Sequence, residues 1–343
     1  MGKINLLKNV LKIQASAMRK RPFYSTLFVT ARCNSRCSFC NVRNNKQKDL
    51  PLEKMKTIID EMNDFGIRVV AVTGGEPMLR SDIFEILRYI ESKKMIYSIV
   101  SNGTLWDEEM ANEIRKRKLF TLSFSLDTLD RKKYIGIRGV DGLPRLKNTI
   151  TMFREKPLRN SYVSTLTTVV KQNIDELPDI IEFDRENNCS FVCGPVSISP
   201  GFEFRSDQNE SLPPKAKVVE TFEWLAKQCK KDRTNIYPSM YYQNVADYFA
   251  GNYRVPCDAG TYYISVNALG EVSVCQDFAP FGNILETGLK KAFENKTPQR
   301  RIRACVESNP CFYGCTTFIS MLMRTPLHKK LGFVWEGMQN GIL

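Results

Sequence analysis

Three cysteines, Cys33, Cys37 and Cys40, fall within one eight-residue stretch of Thr30-Ala-Arg-Cys33-Asn-Ser-Arg-Cys37-Ser-Phe-Cys40. Thiolates at this spacing can wrap three corners of a cubane iron–sulfur cluster, a group that ordinarily takes four cysteines. With three, one iron keeps an open position, as a site that binds a substrate or cofactor at a metal requires. The other reading of the spacing is a zinc knuckle short of its fourth ligand, and no histidine or fourth cysteine lies nearby. The chain has one histidine, His328. Its chemistry therefore rests on cysteines, carboxylates or a cofactor rather than on histidine acid–base catalysis.

These cysteines need elements to hold them. The chain has 343 residues, a formal net charge of +13 and 11 cysteines. That length suits a large α/β domain and a smaller appendage. An odd cysteine count argues against a disulfide framework and for ligands or catalytic thiols. No apolar run approaches the roughly 18–20 residues of a membrane span. Lysines interrupt the N-terminal apolar residues, so no secretory signal is legible and a cytoplasmic location is expected. From Phe23 onward, strands at 24–29, 68–73, 96–101, 120–125, 162–170 and 191–197 alternate with helices at 52–64, 82–93, 107–118, 143–154 and 177–187. Six such units predict an α/β fold with a parallel sheet, a partial (β/α)6 barrel. The cysteine segment follows the first strand, at the end where barrels carry their active sites. Residues 1–22 read as a basic amphipathic helix, 23–215 as the barrel and 216–252 as a helical linker. Residues 253–343 read as a second, cysteine-bearing domain, with a hairpin at 262–275.

In order along the chain, further motifs close the predicted strands. Thr73-Gly74-Gly75-Glu76-Pro77 ends the second, Ser101-Asn102-Gly103 the third, and Ser123, Ser125 and Asp127 the fourth. Over residues 24–200 the sequence resembles the radical S-adenosylmethionine (SAM) superfamily, whose signature is the CxxxCxxC spacing. The resemblance implies a 4Fe–4S cluster on Cys33, Cys37 and Cys40, with its open iron chelated by SAM. Electron transfer would then cleave SAM to a 5′-deoxyadenosyl radical. It implies that Phe39 lies near the adenine and that Gly74, Gly75, Glu76 and Pro77 hold the methionine amino group. Ser101, Asn102, Ser125 and Asp127 would suit the ribose or the methionine carboxylate. Arg138 would contact SAM, and Val169 would face the adenine.

The last five cysteines, Cys257, Cys275, Cys305, Cys311 and Cys315, are similar to the SPASM/twitch extension of that superfamily, which holds auxiliary clusters. The full pattern has a cysteine where this chain has Ile302, and another after Cys315. The resemblance therefore implies one auxiliary 4Fe–4S cluster, on Cys257, Cys275, Cys315 and either Cys311 or Cys305. Cys189, Cys193 and Cys229 lack ligand spacing and are expected to be buried thiols.

Substrate and partners are read from less specific segments. Residues 1–24 hold six basic residues and no acid. Such a helix suits an anionic membrane surface, at about 1 kcal/mol per basic residue, or the floor of the barrel. Ser197-Ile-Ser-Pro-Gly-Phe-Glu-Phe204 resembles a segment of adenosyl-hopane synthase, a lipid-acting radical SAM enzyme. The expectation is an enzyme acting on a lipid or isoprenoid. A peptide maturase of the SPASM type is the alternative, and a non-catalytic iron–sulfur or zinc protein on nucleic acid is a third reading. The radical SAM readings carry no nucleic-acid partner and need flavodoxin or ferredoxin as electron donor.

Overall fold

The computed structural model describes residues 13–14, 16–40, 42, 48–159, 161–196, 211–229, 237–253, 257–276, 278–294, 312 and 314–326. Six strands run parallel: β1 (Tyr24–Thr30), β2 (Val69–Gly74), β3 (Ile96–Ser101), β4 (Thr121–Ser125), β5 (Tyr162–Val169) and β6 (Ser190–Pro195). Their spatial order follows the chain, as right-handed βαβ crossovers produce. Strand alternation sends Leu27, Val29, Val70, Val72, Tyr97, Ile99, Leu122 and Phe124 into the main core. There they meet Met55, Ile58, Ile59 and Met62 of α1 (Leu52–Phe65) and Ile86, Leu87 and Ile90 of α2 (Ile83–Ser92). The buried positions of α1 recur at i, i+3, i+4 and i+7, the stripe of an amphipathic helix. Pro51 precedes α1, and Gly66 ends it at φ 118°. Helices α3 (Glu108–Arg115), α4 (Arg131–Arg138), α5 (Leu143–Glu155) and α6 (Leu177–Glu186) complete the barrel segment.

Helix α4 was not expected from the sequence. Its stretch, RKKYIGIR, has a glycine inside and buries only Tyr134, Ile137 and Arg138, so it shows almost no apolar period. Its end signals are clear nonetheless. Asp130 caps the N-terminus, accepting a hydrogen bond from Lys133 N at 2.8 Å, and Gly139 closes the helix at φ 68°.

The predicted hairpin forms from β7 (Tyr263–Val266) and antiparallel β8 (Glu271–Ser273), followed by β9 (Gly282–Asn283). It does not stand apart from the barrel. β7 pairs parallel with β1, Tyr24 opposite Tyr263 through Leu27 opposite Val266, so one nine-stranded sheet runs β6-β5-β4-β3-β2-β1-β7-β8-β9. The pairing covers the N–H and C=O groups that β1 would otherwise expose as an edge. Buried hydroxyls reinforce it, Thr26 Oγ1 lying 2.9 Å from Tyr263 Oη and 3.0 Å from Ser265 Oγ. Helices α7 (Lys215–Gln228) and α8 (Ser239–Phe249) follow the barrel, α9 (Ile284–Thr287) and α10 (Leu289–Ala292) follow β9, and α11 (Gly314–Arg324) comes last.

Cys189 and Cys193 are buried in the main core, and Cys229 packs partly against it. Of the expected N-terminal helix, residues 13, 14 and 16–18 are helical, and Met18 is exposed. Residues 1–12, 197–204 and 327–343, with His328, lie outside the described residues. Among the described residues no helix is long and apolar enough to cross a membrane.

Candidate iron–sulfur and S-adenosylmethionine site

The cysteine segment leaves the C-terminal end of β1 and is held by backbone on two sides. Gly75 N donates to Thr30 O at 2.9 Å, and Glu76 N donates to Arg32 O at 2.8 Å. On the other side Arg36 N donates to Arg138 O and Ser38 N to Ile137 O, both at 2.8 Å. The loop thus sits between the end of β2 and the last carbonyls of α4. Three glycines make the approach close enough. A Cβ on Gly74 would lie 2.3 Å from Thr30 O, one on Gly75 2.0 Å from Arg32 O, and one on Gly139 2.4 Å from Arg36 O.

Glu76 is fully buried, and both its oxygens are engaged. Oε1 accepts from Ser101 Oγ at 2.8 Å and Met78 N at 3.1 Å; Oε2 accepts from Asn102 N at 2.6 Å. Burial pushes this carboxyl above its ordinary range, against those hydrogen bonds. Glu76 therefore ties the end of β2 to the end of β3, while Pro77 begins a short 3-10 turn over residues 77–79. Ser101 Oγ also accepts from Trp106 Nε1 at 3.0 Å. Asn102 reaches the cysteine loop, its Nδ2 donating to Asn34 Oδ1 at 2.7 Å and to Ser35 Oγ at 3.3 Å. Thr104 Oγ1 closes the ring, donating to Asn102 Oδ1 at 2.7 Å and accepting from Asn34 Nδ2 at 2.9 Å.

Arg138 is the second brace. It is buried, with Nε 2.6 Å from Asp127 Oδ2 in an ion pair whose N–H is not aimed for a linear hydrogen bond. Its Nη1 donates to Cys37 Sγ at 3.6 Å, and its guanidinium lies 5.6 Å from the centre of the Phe39 ring. Burial works against its charge, but Asp127 and Cys37 hold its pKa above the ordinary value. Burial likewise pushes the fully buried Asp127 carboxyl up, against the pull of Arg138 and of Thr168 N at 2.8 Å. Ile137, Val170 and Val196 pack with Phe39. Val169, the residue expected beside the adenine, is fully buried in the helix-facing core, because strand alternation turns it the other way. Ser125 is half-buried at the end of β4, in register with Leu166.

This surround fits an iron–sulfur cluster. Burial pushes the Cys33 thiol up to about 11, and the negative charges of Glu76, Cys37 and Cys40 add to the rise. The three sulfurs are thus electrostatic neighbours, and bound irons would neutralise their mutual repulsion. Cys33 Sγ accepts from Ser35 N at 3.4 Å and Cys37 Sγ from Arg138 Nη1 at 3.6 Å, so both sulfurs have donors that a ligand thiolate would keep. Among the described residues, the buried Ser38 Oγ and Tyr134 Oη find no protein partner, so the surround has donors to spare for a bound group. No three cysteine, histidine or acidic side chains among the described residues converge on one point as a mononuclear metal site demands. A cubane has no such demand, since each thiolate takes a different iron. Asn34, Ser35, Thr104 and Tyr134 escaped the sequence reading. The caps of α4 were the one signal that leads to Tyr134.

Two of the C-terminal cysteines come together. Cys257 and Cys275 share a small apolar cluster with Ala259, Tyr263 and Val274, flanked by Tyr24, Phe278 and Phe281. Helix α11, which carries Cys315 near its start, is pinned to the same loop. Asp258 N donates to Ser320 Oγ at 2.8 Å, and Arg324 grips Asp258 with two bonds of 2.7 Å. Cys315 lies five residues before Ser320, about 7.5 Å along a helix axis. Cys305 and Cys311 lie outside the described residues.

Comparison with known proteins places this geometry. A model of the radical SAM superfamily matches residues 27–183, and one of the SPASM iron–sulfur cluster-binding domain matches residues 257–316. The latter stretch holds all five C-terminal cysteines. A probable GTP 3′,8-cyclase of Pyrococcus abyssi is 31% identical over 209 residues, 60% of this chain and 67% of that protein. An AdoMet-dependent heme synthase of Methanosarcina barkeri is 24% identical over 308 residues, 84% of this chain and 86% of that protein. Among solved structures, Streptococcus suis SuiB bound to its precursor peptide SuiA superposes with a TM-score of 0.68 at 19% identity, over 89% of this chain and 72% of that one.

Proposed function

The chain belongs to the radical SAM superfamily and carries a SPASM iron–sulfur domain, and from that premise we propose that it is a peptide-modifying enzyme. Its cofactors are a 4Fe–4S cluster, SAM and auxiliary iron–sulfur in the SPASM domain. Bound together, the first cluster and SAM would supply one-electron reductive cleavage of the sulfonium. The observation that carries the radical SAM chemistry is the bracing of the cysteine loop by motif residues that follow β2 and β3 and by Arg138 of α4. Cys33, Cys37 and Cys40 would ligate the cluster. Glu76 and Asn102 hold the loop through hydrogen bonds, Arg138 offsets thiolate charge at Cys37, and Phe39 offers a ring face to the adenine. A flavodoxin or ferredoxin would supply the electron.

Two points favour a peptide over a lipid. SuiB, whose fold this chain shares, was solved with a precursor peptide. The sheet face opposite the main core also carries a row of small and polar residues. Ser273, Ser265, Thr26, Ala71 and Ser98 stand in one register row across it, and Ser123, in register with Val100, has its Oγ 2.8 Å from Ser164 Oγ. A closed barrel fills such rows with bulky apolar residues. Of the segments behind the lipid and membrane readings, residues 1–12 and 197–204 lie outside the described residues.

The test is anaerobic reconstitution with iron and sulfide, followed by reduction with SAM present. We expect a 4Fe–4S spectrum and 5′-deoxyadenosine, with product lost in Cys33→Ala, Cys37→Ala and Cys40→Ala. Neither spectrum nor cleavage in the wild type would sink the enzyme reading. Deuterated peptide and polyprenyl lipid candidates settle the substrate: deuterium reaching 5′-deoxyadenosine from lipid alone would overturn the peptide.

A further inference from the structure

We propose that Arg138 sets the redox poise of the cluster site through its bond to Cys37, and that Asp127 is the counter-charge that limits its effect. The proposal rests on the reading of Cys33, Cys37 and Cys40 as cluster ligands. Arg138 is 101 residues from Cys37 in sequence, yet its Nη1 points at that sulfur from 3.6 Å. The guanidinium side chain is 8% exposed and the Asp127 side chain 0% exposed, so neither charge is screened by water. The rest of the surround fixes the fork in place. Nε is held 2.6 Å from Asp127 Oδ2, Asp127 Oδ1 is held by Thr168 N at 2.8 Å, and Asn173 Nδ2 donates to Asp127 O at 2.8 Å. The Arg138 carbonyl meanwhile accepts from Arg36 N at 2.8 Å, which keeps α4 against the cysteine loop. One residue therefore joins the loop backbone, a ligand sulfur, an aromatic ring and a buried carboxylate.

The electrostatic consequence has a sign. Uptake of one electron from a low-potential flavoprotein or iron–sulfur donor adds one negative charge beside three thiolates, and no bond forms or breaks. A cationic N–H donor on a ligand sulfur favours the more negative state. Asp127 cancels part of that charge. Removing Arg138 must make reduction harder, and neutralising Asp127 must make it easier. A residue that only clamped the loop would not give opposite signs.

The experiment is an EPR-monitored redox titration of the reconstituted full chain, with iron content measured alongside. For Arg138→Gln we expect the reduced-to-oxidised ratio at a fixed poise to fall about tenfold, about 59 mV for a one-electron couple. Arg138→Lys, which keeps the charge, should stay within about threefold of wild type, about 28 mV by the same constant. Asp127→Asn should shift the potential upward. An unchanged potential in Arg138→Gln with the cluster present overturns the proposal, as do shifts of the same sign in Arg138→Gln and Asp127→Asn. If Arg138→Gln does not fold, Arg138→Lys and Asp127→Asn carry the test, and equal potentials in those two overturn it. A wild-type chain that takes up no EPR-active cluster would bring down the ligand reading as well, whereas an intact cluster indifferent to residue 138 brings down this proposal alone.

Discussion

Gly75→Ala tests how the cysteine loop is held. The added Cβ would lie 2.0 Å from Arg32 O, 2.4 Å from Arg32 C and 3.0 Å from Cys33 Cβ. The first two are backbone atoms, so no side chain can swing away. Ordinary contact distances require the end of β2 and the cysteine loop to separate by more than about 1 Å. That movement strains the hydrogen bonds from Gly75 N to Thr30 O and from Glu76 N to Arg32 O, 2.9 and 2.8 Å long. Each is worth about 1 kcal/mol, and overpacking adds about 1–3 kcal/mol, for a total near 3 kcal/mol or more. In a chain of this size that is a fall in Tm on the order of 5 °C. Cys33 moves with the loop, so iron uptake should fall further than stability does. Gly136→Ala is the matched control. It lies within α4 and a Cβ there meets nothing within 4 Å, so alanine should stabilise by about 0.5–1 kcal/mol with iron content unchanged. Thermal melting and iron per chain after reconstitution read both variants. Wild-type melting and full iron loading in Gly75→Ala would refute the reasoning.

Cys257→Ala and Cys275→Ala should each lose about four irons while SAM cleavage uncoupled from substrate persists; unchanged iron in both variants would remove the auxiliary site. Asp258→Ala frees Arg324 and the start of the Cys257 loop. The exposed ion pair itself contributes about 1 kcal/mol at most, so melting should barely move while auxiliary iron falls, and intact iron content would count against α11 as the carrier of a ligand. Asp184 is fully buried on α6, where burial raises its carboxyl to about 8 against the hydrogen bond from Thr165 Oγ1. A raised carboxyl contributes stability that is complete below its unfolded pKa near 4 and is lost as pH rises through about 8. Wild-type melting should therefore fall between pH 4 and 8, whereas Asp184→Asn should stay flat and be the more stable above pH 8; parallel profiles would contradict this.

The barrel was legible because each strand carries its own local signal. Apolar and β-branched residues mark the strands, β1 being buried at six successive positions, and Gly66 stops α1 where the periodicity ends. Helix α4 was not, because eight residues with an internal glycine bury too little to show a period. The hairpin at 262–275 was seen as a hairpin, but its parallel union with β1 was invisible. Pairing depends on which edge needs cover, and neither strand records that alone. Val169 shows the same limit at one residue: a strand's ends are readable, while the face each side chain takes follows from register.

Cys33, Cys37, Cys40 and the Gly74–Pro77 turn identified the chemistry from the sequence by itself. Ligand spacing along a loop is a local property of the chain, and it is the same folded or unfolded. The tertiary structure decided what stands behind those cysteines. Arg138 comes to Cys37 from 101 residues away, and Tyr263 comes to Thr26 from 237. The first closeness follows from the buried pair of Arg138 and Asp127, whose opposite charges must find each other and so set the guanidinium beside the cysteine loop. The second follows from covering an edge strand. Both are settled by long-range burial, which the spacing of residues along one segment does not encode.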